Sequence, residues 1–266
     1  GIVMAFQNYV PAKGIFSSEF VGLKHFKYMF SLPDIGQIVT NTMVIAIGKI
    51  ILGTIMAIAF AILLNEIRVK FFKKTVQTIV YLPHFLSWVV LAAVVVNMVN
   101  LDGAVNQLLQ TIGLDKINFL GSNTWFRPMI IVTDVWKEFG YNSIVYLAAI
   151  TAIDPGLHEA ASMDGANWWK RVWHITLPGM LPIILLMGAM NLTSILSAGF
   201  DQIYNLYSPM VYQSGDVLDT YVYRMGMISR QYSFSTAVGL LRSVVGMVLM
   251  LAANGLAKKF TERSIF

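Results

Sequence analysis

The sequence predicts an all-α integral membrane protein, on the evidence of its composition, its long apolar runs and the placement of its positive charges. Charged residues make up 12% of the 266 residues and apolar residues 56%, whereas soluble domains are about 25% charged. The mean hydropathy is +0.64. A chain this apolar lacks the polar surface with which a soluble protein of the same length covers itself.

Five stretches are long and apolar enough to cross the hydrocarbon core, which takes about 20 residues as a helix. They cover residues 38–64, 76–99, 128–150, 177–200 and 236–257. None shows the ten-residue alternation of a membrane barrel. Residues 1–8 begin with an apolar stretch that is too short to span, and we interpret them as the end of a first helix. The sequence therefore predicts about six helices, the first incomplete in this chain, in a single domain over residues 1–266.

Lysine and arginine are concentrated in alternate connections, and this predicts the orientation of the helices. Three connections hold nine of these residues in 46 positions: 65–75, 151–176 and 258–266. The other three hold seven in 92 positions: 9–37, 100–127 and 201–235. Cytoplasmic loops carry the excess of Lys and Arg, so the first set, with the C-terminus, is predicted to be cytoplasmic. The net charge of +5 thus indicates topology rather than binding to nucleic acid.

The segment 151–176, which we call the coupling segment, has the most informative local pattern. Asp154 is a good N-cap and Pro155 suits the first helical position, so a short helix is predicted to run through Met163. Gly165 then provides a turn signal that ends it. A short helix of this kind would also serve as an ordinary amphipathic connector. The short helix alone therefore does not distinguish a connector from a functional segment, but the residues around it do.

That longer stretch has a fixed spacing: Glu-Ala-Ala at 159–161, three residues, Gly165, nine residues, and Ile-x-Leu-Pro at 175–178. It resembles the EAA loop of the permease subunits of binding-protein-dependent ABC importers. The resemblance implies a coupling helix that fits a cleft of an ATPase subunit. The residues that it assigns to ATPase coupling are Glu159, Ala160, Ala161, Asp164, Gly165 and Ala166.

Further stretches are similar to the carbohydrate branch of that family, and some to the subgroup that imports oligosaccharides from polysaccharides such as alginate or pectin. They lie at 21–23, 41–42, 81–83, 164–166, 200–204, 220–224 and 237–239. The resemblance implies a type I importer transmembrane domain in a bacterial inner membrane, working by alternating access. The partners that it implies are a second, homologous permease subunit, two ATPase subunits and an extracytoplasmic solute-binding protein.

No catalytic motif accompanies these features. The sequence has no Walker lysine motif, no HExxH and no GxSxG, and its four histidines share no metal-ligand spacing. Zero cysteines exclude disulfides and thiolate metal sites. We therefore predict a transport subunit that is not an enzyme and carries no cofactor or metal. The resemblance places ATP and Mg on the partner ATPase subunits.

Polar residues inside two predicted spans are candidates for the substrate path. Charges in membrane helices cost about 2.5–3.5 kcal/mol each on insertion scales, so they face neighbouring helices or a watery path. Asp134 and Lys137 are close enough to pair. Lys49 and Arg242 are expected to be partnered or to snorkel rather than to bind substrate, and His84 is expected to be a packed polar residue. The path candidates are Trp136, Lys137, Glu138, Tyr141, Asn142, Asn191 and Ser194. Hydrogen bonding between helices is the alternative for Asn191 and Ser194.

The predicted outer loop 201–235 holds six of the eleven tyrosines. An aromatic belt at the membrane interface explains such a loop on general grounds. Its length of 35 residues also favours a functional surface. The candidates for docking of the binding protein are Tyr204, Tyr207, Tyr212 and Tyr221.

Two other functions fit a polar, multi-spanning membrane protein. One is a secondary sugar transporter driven by an ion gradient, in which Asp134, Lys137 and Glu138 would relay the ion. The other is a structural membrane scaffold. The complete EAA spacing favours the ABC importer permease over both.

Overall fold

The computed structural model describes residues 1–192 and 195–261, with side chains to residue 252 and at 255. Its α-helices are α1 (Lys24–Ser31), α2 (Ile35–Glu66), α3 (Lys70–Tyr81), α4 (Trp88–Val99), α5 (Ala104–Thr111), α6 (Asn123–Thr151), α7 (Pro155–Met163), α8 (Trp168–Arg171), α9 (Leu177–Leu192), α10 (Phe200–Leu206), α11 (Tyr212–Gly215), α12 (Leu218–Tyr223) and α13 (Tyr232–Thr261). Two short strands, β1 (Gln7–Asn8) and β2 (Glu19–Phe20), form one antiparallel ladder.

Four helical stretches in the described residues are long and apolar enough to cross a membrane. They are Ile35–Glu66, Trp88–Thr111, Trp168–Leu192 and Tyr232–Ala252. α6 is also long, at 29 residues, but it carries four charged residues between 127 and 138. It contains the predicted span 128–150, and α2 and α13 extend beyond the spans predicted at 38–64 and 236–257.

The predicted span 76–99 is not one helix, and this prediction was wrong. α3 ends at Tyr81, a 3-10 turn covers Leu82–Phe85, and α4 begins at Trp88. Pro83 accounts for the break, because proline lacks the N–H for the helical hydrogen bond and its ring crowds the preceding turn. The break leaves His84 outside regular helix.

The predicted span 177–200 was also too long. α9 ends at Leu192, residues 195–199 are not helical, and α10 begins at Phe200. Gly199 has a φ of +93°, a left-handed conformation that glycine adopts without strain. That conformation ends the non-helical stretch and sets the direction in which α10 leaves.

Residues 1–8 were predicted to be the end of a first helix, and this prediction was wrong for residues 7 and 8. Ile2–Phe6 form a 3-10 helix, but Gln7 and Asn8 belong to β1. Gln7 faces Phe20 and Asn8 faces Glu19 across the ladder. Pairing with β2 satisfies backbone groups that a continued helix would have bonded within itself.

The chain divides into two compact units. The first contains residues 1–47, 88–131 and 193–251, and the second contains 48–87, 132–192 and 252–266. The first unit has one apolar cluster around Phe126, Ile130 and Ile203 and another around Met29 and Phe234. The second unit has a cluster in which Ala57 of α2, Tyr146 of α6 and Met180 of α9 are buried together. The coupling segment and most of the polar membrane residues belong to this second unit.

A π-helical turn, Val172–Thr176, joins α8 to α9 without a break. Residues Trp168–Leu192 therefore form one helix of 25 residues. The Nδ1 atom of His174 is hydrogen-bonded to the carbonyl oxygen of Lys170 at 2.9 Å. The wider π turn precedes Pro178, whose missing N–H would otherwise interrupt the helical hydrogen bonds.

Candidate functional site: coupling segment and intramembrane cavity

The helix α7 of the coupling segment is capped at both ends. At its start, the carboxylate of Asp154 accepts a hydrogen bond of 2.9 Å from the backbone N–H of Gly156. At its end, Gly165 has a φ of +76°, and the N–H of Ala166 donates to the carbonyl of Ala161 at 2.9 Å. A left-handed glycine with this bond is a typical C-cap, which reverses the chain sharply.

The side chains that the resemblance assigns to coupling lie on the surface of the second unit. Glu159, Ala160 and Asp164 are exposed, and Ala161 and Ala166 are half-buried. Within the described residues Glu159 takes part in no ion pair. The segment thus presents a small, capped helix with a carboxylate that is open to a partner.

Three of the four charges of α6, Asp134, Lys137 and Glu138, form two groups of ion pairs inside the second unit. The Nζ of Lys49 in α2 lies 2.9 Å from an Asp134 carboxylate oxygen. The Nζ of Lys137 lies 2.8 Å from one oxygen of Glu138 and donates to the carbonyl of His84 at 2.8 Å. The other oxygen of Glu138 is 2.6 Å from Nδ1 of His84. Lys49 is therefore partnered, as the sequence predicts, and His84 is packed against Glu138.

The ring of His84 is stacked on Tyr141 of α6. The ring centroids are 3.9 Å apart and the planes are inclined by 1°. Phe85 lies edge-on to both rings. The break at Pro83 therefore places an imidazole between a carboxylate and an aromatic face, and this fixes the Tyr141 ring beside the charges.

A cavity of about 160 Å³ lies among α2, α6 and α9 within the second unit. Its polar lining includes Lys49, Asp134, Glu138, Asn142 and Asn191. This volume is equivalent to roughly five water molecules at about 30 Å³ each, so the cavity is too small for an oligosaccharide in this conformation. A larger opening would require the lining helices to move.

Three of the predicted path residues, Glu138, Asn142 and Asn191, share this cavity. Tyr141 and Lys137 are not part of its lining; Tyr141 stacks on His84 and Lys137 pairs with the lining residue Glu138. Trp136 is 43% exposed and is not part of the lining. Ser194 lies outside the described residues. Sequence reasoning missed Thr54 and Tyr146, which also line the cavity.

The segment 201–235, which we predicted as an outer loop, is a packed structure that contains several short helices. The side-chain amide of Asn41 donates to the carbonyls of Asp216, at 2.9 Å, and Gln213, at 3.1 Å. Asp216 forms an ion pair with Arg224, and burial raises the pKa of this carboxyl. The Arg224 guanidinium lies over the ring of Tyr212, 4.4 Å from its centroid. These contacts fold the segment onto α2.

Three of the four tyrosines proposed for docking form a connected row. Tyr204 contacts Tyr207, and Tyr207 contacts Tyr212, with ring centroids 6.1 and 5.1 Å apart. A hydrogen bond to Tyr223 raises the pKa of Tyr204, and burial raises the pKa of Tyr207. The docking role proposed for Tyr221 is corrected, because its side chain is 4% exposed and packs in an apolar cluster.

Comparison with known proteins identifies the family. The model of the family described as "Binding-protein-dependent transport system inner membrane component" matches residues 49–262. The polygalacturonan/rhamnogalacturonan transport system permease protein YteP of Bacillus subtilis (strain 168) is 43% identical over all of this chain and 83% of that protein. Protein LplB of the same organism is 39% identical over all of this chain and 84% of that protein.

A solved structure of similar sequence has the same fold as this chain. The crystal structure of a bacterial ABC transporter involved in the import of the acidic polysaccharide alginate contains a chain that is 40% identical to this one. The two superpose with a TM-score of 0.88 over 98% of this chain and 88% of that one. These matches confirm the predicted helical transmembrane domain of an ABC importer and argue against an ion-driven secondary transporter. The chain belongs to the inner membrane permease components of binding-protein-dependent ABC transport systems.

Proposed function

We propose that this chain forms half of the translocation path of an ATP-driven importer of acidic oligosaccharides, and that it works by alternating access. The observation that carries the proposal is the single helix Trp168–Leu192. It begins three residues after the Gly165 turn and holds Asn191, a cavity-lining residue, in its last turn. One helix therefore joins the coupling segment to the polar cavity.

The proposed partners are a second, homologous permease subunit, two ATPase subunits that bind ATP and Mg, and an extracytoplasmic solute-binding protein. The exposed Glu159 and the small residues beside it support the ATPase contact. A structure similar to this chain, that of an alginate ABC transporter in complex with an alginate pentasaccharide-bound periplasmic protein, supports the binding-protein contact. Tyr204, Tyr207 and Tyr212 are the proposed docking residues on this chain.

Acidic oligosaccharides are the proposed substrate class for two reasons. YteP is named for polygalacturonan/rhamnogalacturonan transport, and the similar crystal structure is of a transporter that imports alginate; these polysaccharides contain sugar acids. The side-chain amides of Asn142 and Asn191 in the cavity also suit sugar hydroxyls. Its few polar groups support a path that admits many sugars weakly, because tight sites combine several convergent hydrogen bonds.

Transport assays test the proposal directly. Proteoliposomes containing the complete complex are expected to take up trigalacturonate only when ATP is inside and the loaded binding protein is outside. Without the binding protein, sugar binding is expected to be weaker than micromolar, that is, less favourable than about −8 kcal/mol. Uptake driven by an ion gradient without ATP would contradict an importer of this class, and micromolar binding would contradict a shared specificity.

The proposed orientation predicts which positions a membrane-impermeant thiol reagent can reach. The chain has no cysteine, so single cysteines can be introduced at Lys170 and Gln213, which are both exposed. A cysteine at 213 is expected to react in intact spheroplasts, and one at 170 only after the membrane is opened. The reverse pattern would mean that the coupling segment is external, and the proposed ATPase contact would fail. Gly215 is unsuitable, because a Cβ there would lie 2.3 Å from Phe126.

A further inference from the structure

A second polar pocket, of about 610 Å³, lies within the first unit and uses none of the residues assigned above. Three segments that are distant in sequence form it: the end of β1 with Tyr9, the first turns of α1, and residues 230–234 at the start of α13. We call it the cationic pocket, because Lys24 and Arg230 are part of its lining. All three segments lie on or beside connections that are predicted to be external.

The charge of this pocket suits an anion. Lys24 and Arg230 are exposed, and in the part of the chain that the structure describes neither belongs to an ion pair. None of the lining residues is acidic. Glu19 faces Asn8 across the ladder but is not part of the lining. Because neither cation pairs with a carboxylate of the described residues, both can pair with a carboxylate of a ligand.

The backbone at Arg230 is held in a conformation that arginine rarely adopts. Its φ is +57°, and among the described residues it is the only one other than glycine with a positive φ. Hydrogen bonds on both sides fix it, from Ser229 N–H to the Arg224 carbonyl and from Gln231 N–H to the Met225 carbonyl, each 2.9 Å long. Strained residues of this kind occur where the surrounding structure determines them, often at ligand sites.

The aromatic walls of the pocket are fixed before any ligand arrives. Tyr9 and Tyr232 meet edge to face, with centroids 6.1 Å apart and planes inclined by 81°. The backbone N–H of Tyr9 donates to the hydroxyl of Ser233 at 2.9 Å. Tyr28 is held against Phe234, with centroids 5.4 Å apart. Rigid rings beside cations can pack on the C–H face of a sugar ring while its carboxylate meets the charges.

We propose that the cationic pocket is an external entry site for acidic oligosaccharides, in which Lys24 and Arg230 pair with a uronate carboxylate and the tyrosines hold its ring. The inference rests on the proposed function and on the predicted external position of these segments. A guanidinium matches a carboxylate with two parallel hydrogen bonds. Because both cations are exposed, binding is weak, and the site passes the sugar on rather than retaining it. Tyrosine rings favour a sugar over a lipid phosphate, which offers no ring to pack against them.

Saturation-transfer NMR tests this site with the complete transporter in nanodiscs of zwitterionic lipid, without the binding protein. Trigalacturonate is expected to receive saturation. Neutral galactotriose is expected to receive about fivefold less or none, because it lacks the carboxylate and one exposed charge pair makes a difference of about that size. Salt at about 1 M is expected to weaken the signal, because it shortens the Debye length to about 3 Å and so screens the attraction between exposed charges. Equal signals from the two trimers would overturn the proposal.

Paired variants separate the pocket from general surface charge. Lys24→Gln combined with Arg230→Asn is expected to lower the affinity for trigalacturonate about tenfold. Asparagine tolerates the left-handed conformation, so the backbone at 230 is preserved. Lys27→Gln is the matched control, because Lys27 is exposed on the same helix but does not line the pocket. An unchanged signal in the double variant would contradict the assignment, as would an equal loss in the control.

Two further measurements remove the alternatives. If anionic lipid in the nanodisc abolished the trigalacturonate signal and the double variant no longer bound that lipid, the pocket would be a lipid headgroup site and the proposal would be wrong. Uptake by the wild-type transporter is measured in parallel. Absence of ATP-dependent uptake of any sugar would contradict the proposed function, whereas normal uptake with identical NMR signals in wild type and double variant would contradict the cationic pocket alone.

Discussion

Gly165→Pro is expected to abolish sugar uptake while the transporter remains inserted and assembled. Proline fixes φ near −65°, whereas position 165 has a φ of +76°. It would also remove the N–H that donates to the carbonyl of Ser162 at 3.1 Å. The turn after α7 would then have to open, and the coupling helix would lose its position. Uptake by proteoliposomes, beside co-purification of the ATPase subunits, measures the effect.

Gly165→Asn is the matched control for this prediction. No atom lies within 4 Å of a Cβ built at Gly165, so there is room for a side chain. The backbone conformation alone therefore determines which residues are tolerated there. Asparagine adopts the left-handed region more readily than other non-glycine residues, and we expect it to retain most of the uptake. Normal uptake by Gly165→Pro would show that this turn has no part in coupling.

Asp134→Asn is expected to have the largest effect on stability. It would leave the Lys49 ammonium without the carboxylate that lies 2.9 Å from it. Breaking a buried ion pair costs about 3–5 kcal/mol, and because these side chains are 10% and 22% exposed we expect the lower end of that range. For a chain of this size that corresponds to a fall of about 10 °C in melting temperature. Thermal unfolding of the purified complex in nanodiscs measures it.

The double variant Lys49→Met with Asp134→Leu is the control. Replacing both members of a buried pair by apolar side chains of similar size is often neutral or stabilising, so the melting temperature is expected to recover. If the single variant melted within about 2 °C of the wild type, the pair would contribute little, and the cavity would be more hydrated than its burial indicates.

Much of the fold could be predicted because the strongest signals are local. Long apolar runs give the long helices, and Asp154 and Gly165 mark the ends of a short one through their own side-chain and backbone chemistry. The breaks near 82–87 and 195–199 were harder to place, because apolar residues continue through them. Pro83 and Gly199 were visible in the sequence, but membrane helices often tolerate both residue types.

The site was predictable in its residue types and not in its pairings. Asp134 and Lys137 are three apart on one helix, so their mutual pairing was the natural expectation. The structure gives Asp134 a partner 85 positions away, Lys49, which no local rule can supply. Asn41 and Thr42 were noted only as part of a family resemblance. Their side chains bond the backbone at Asp216 and Leu218, contacts that span more than 170 positions.

The unbroken helix Trp168–Leu192 also has a mechanical consequence. At 1.5 Å per residue, its 25 residues make a lever about 37 Å long, with the coupling segment at one end and Asn191 near the other. A tilt of about 5° around the Trp168 end displaces the Leu192 end by roughly 3 Å, about the diameter of a water molecule. A small rotation at the coupling segment thus becomes a displacement of about 3 Å at the cavity, and no helix has to unfold to transmit it.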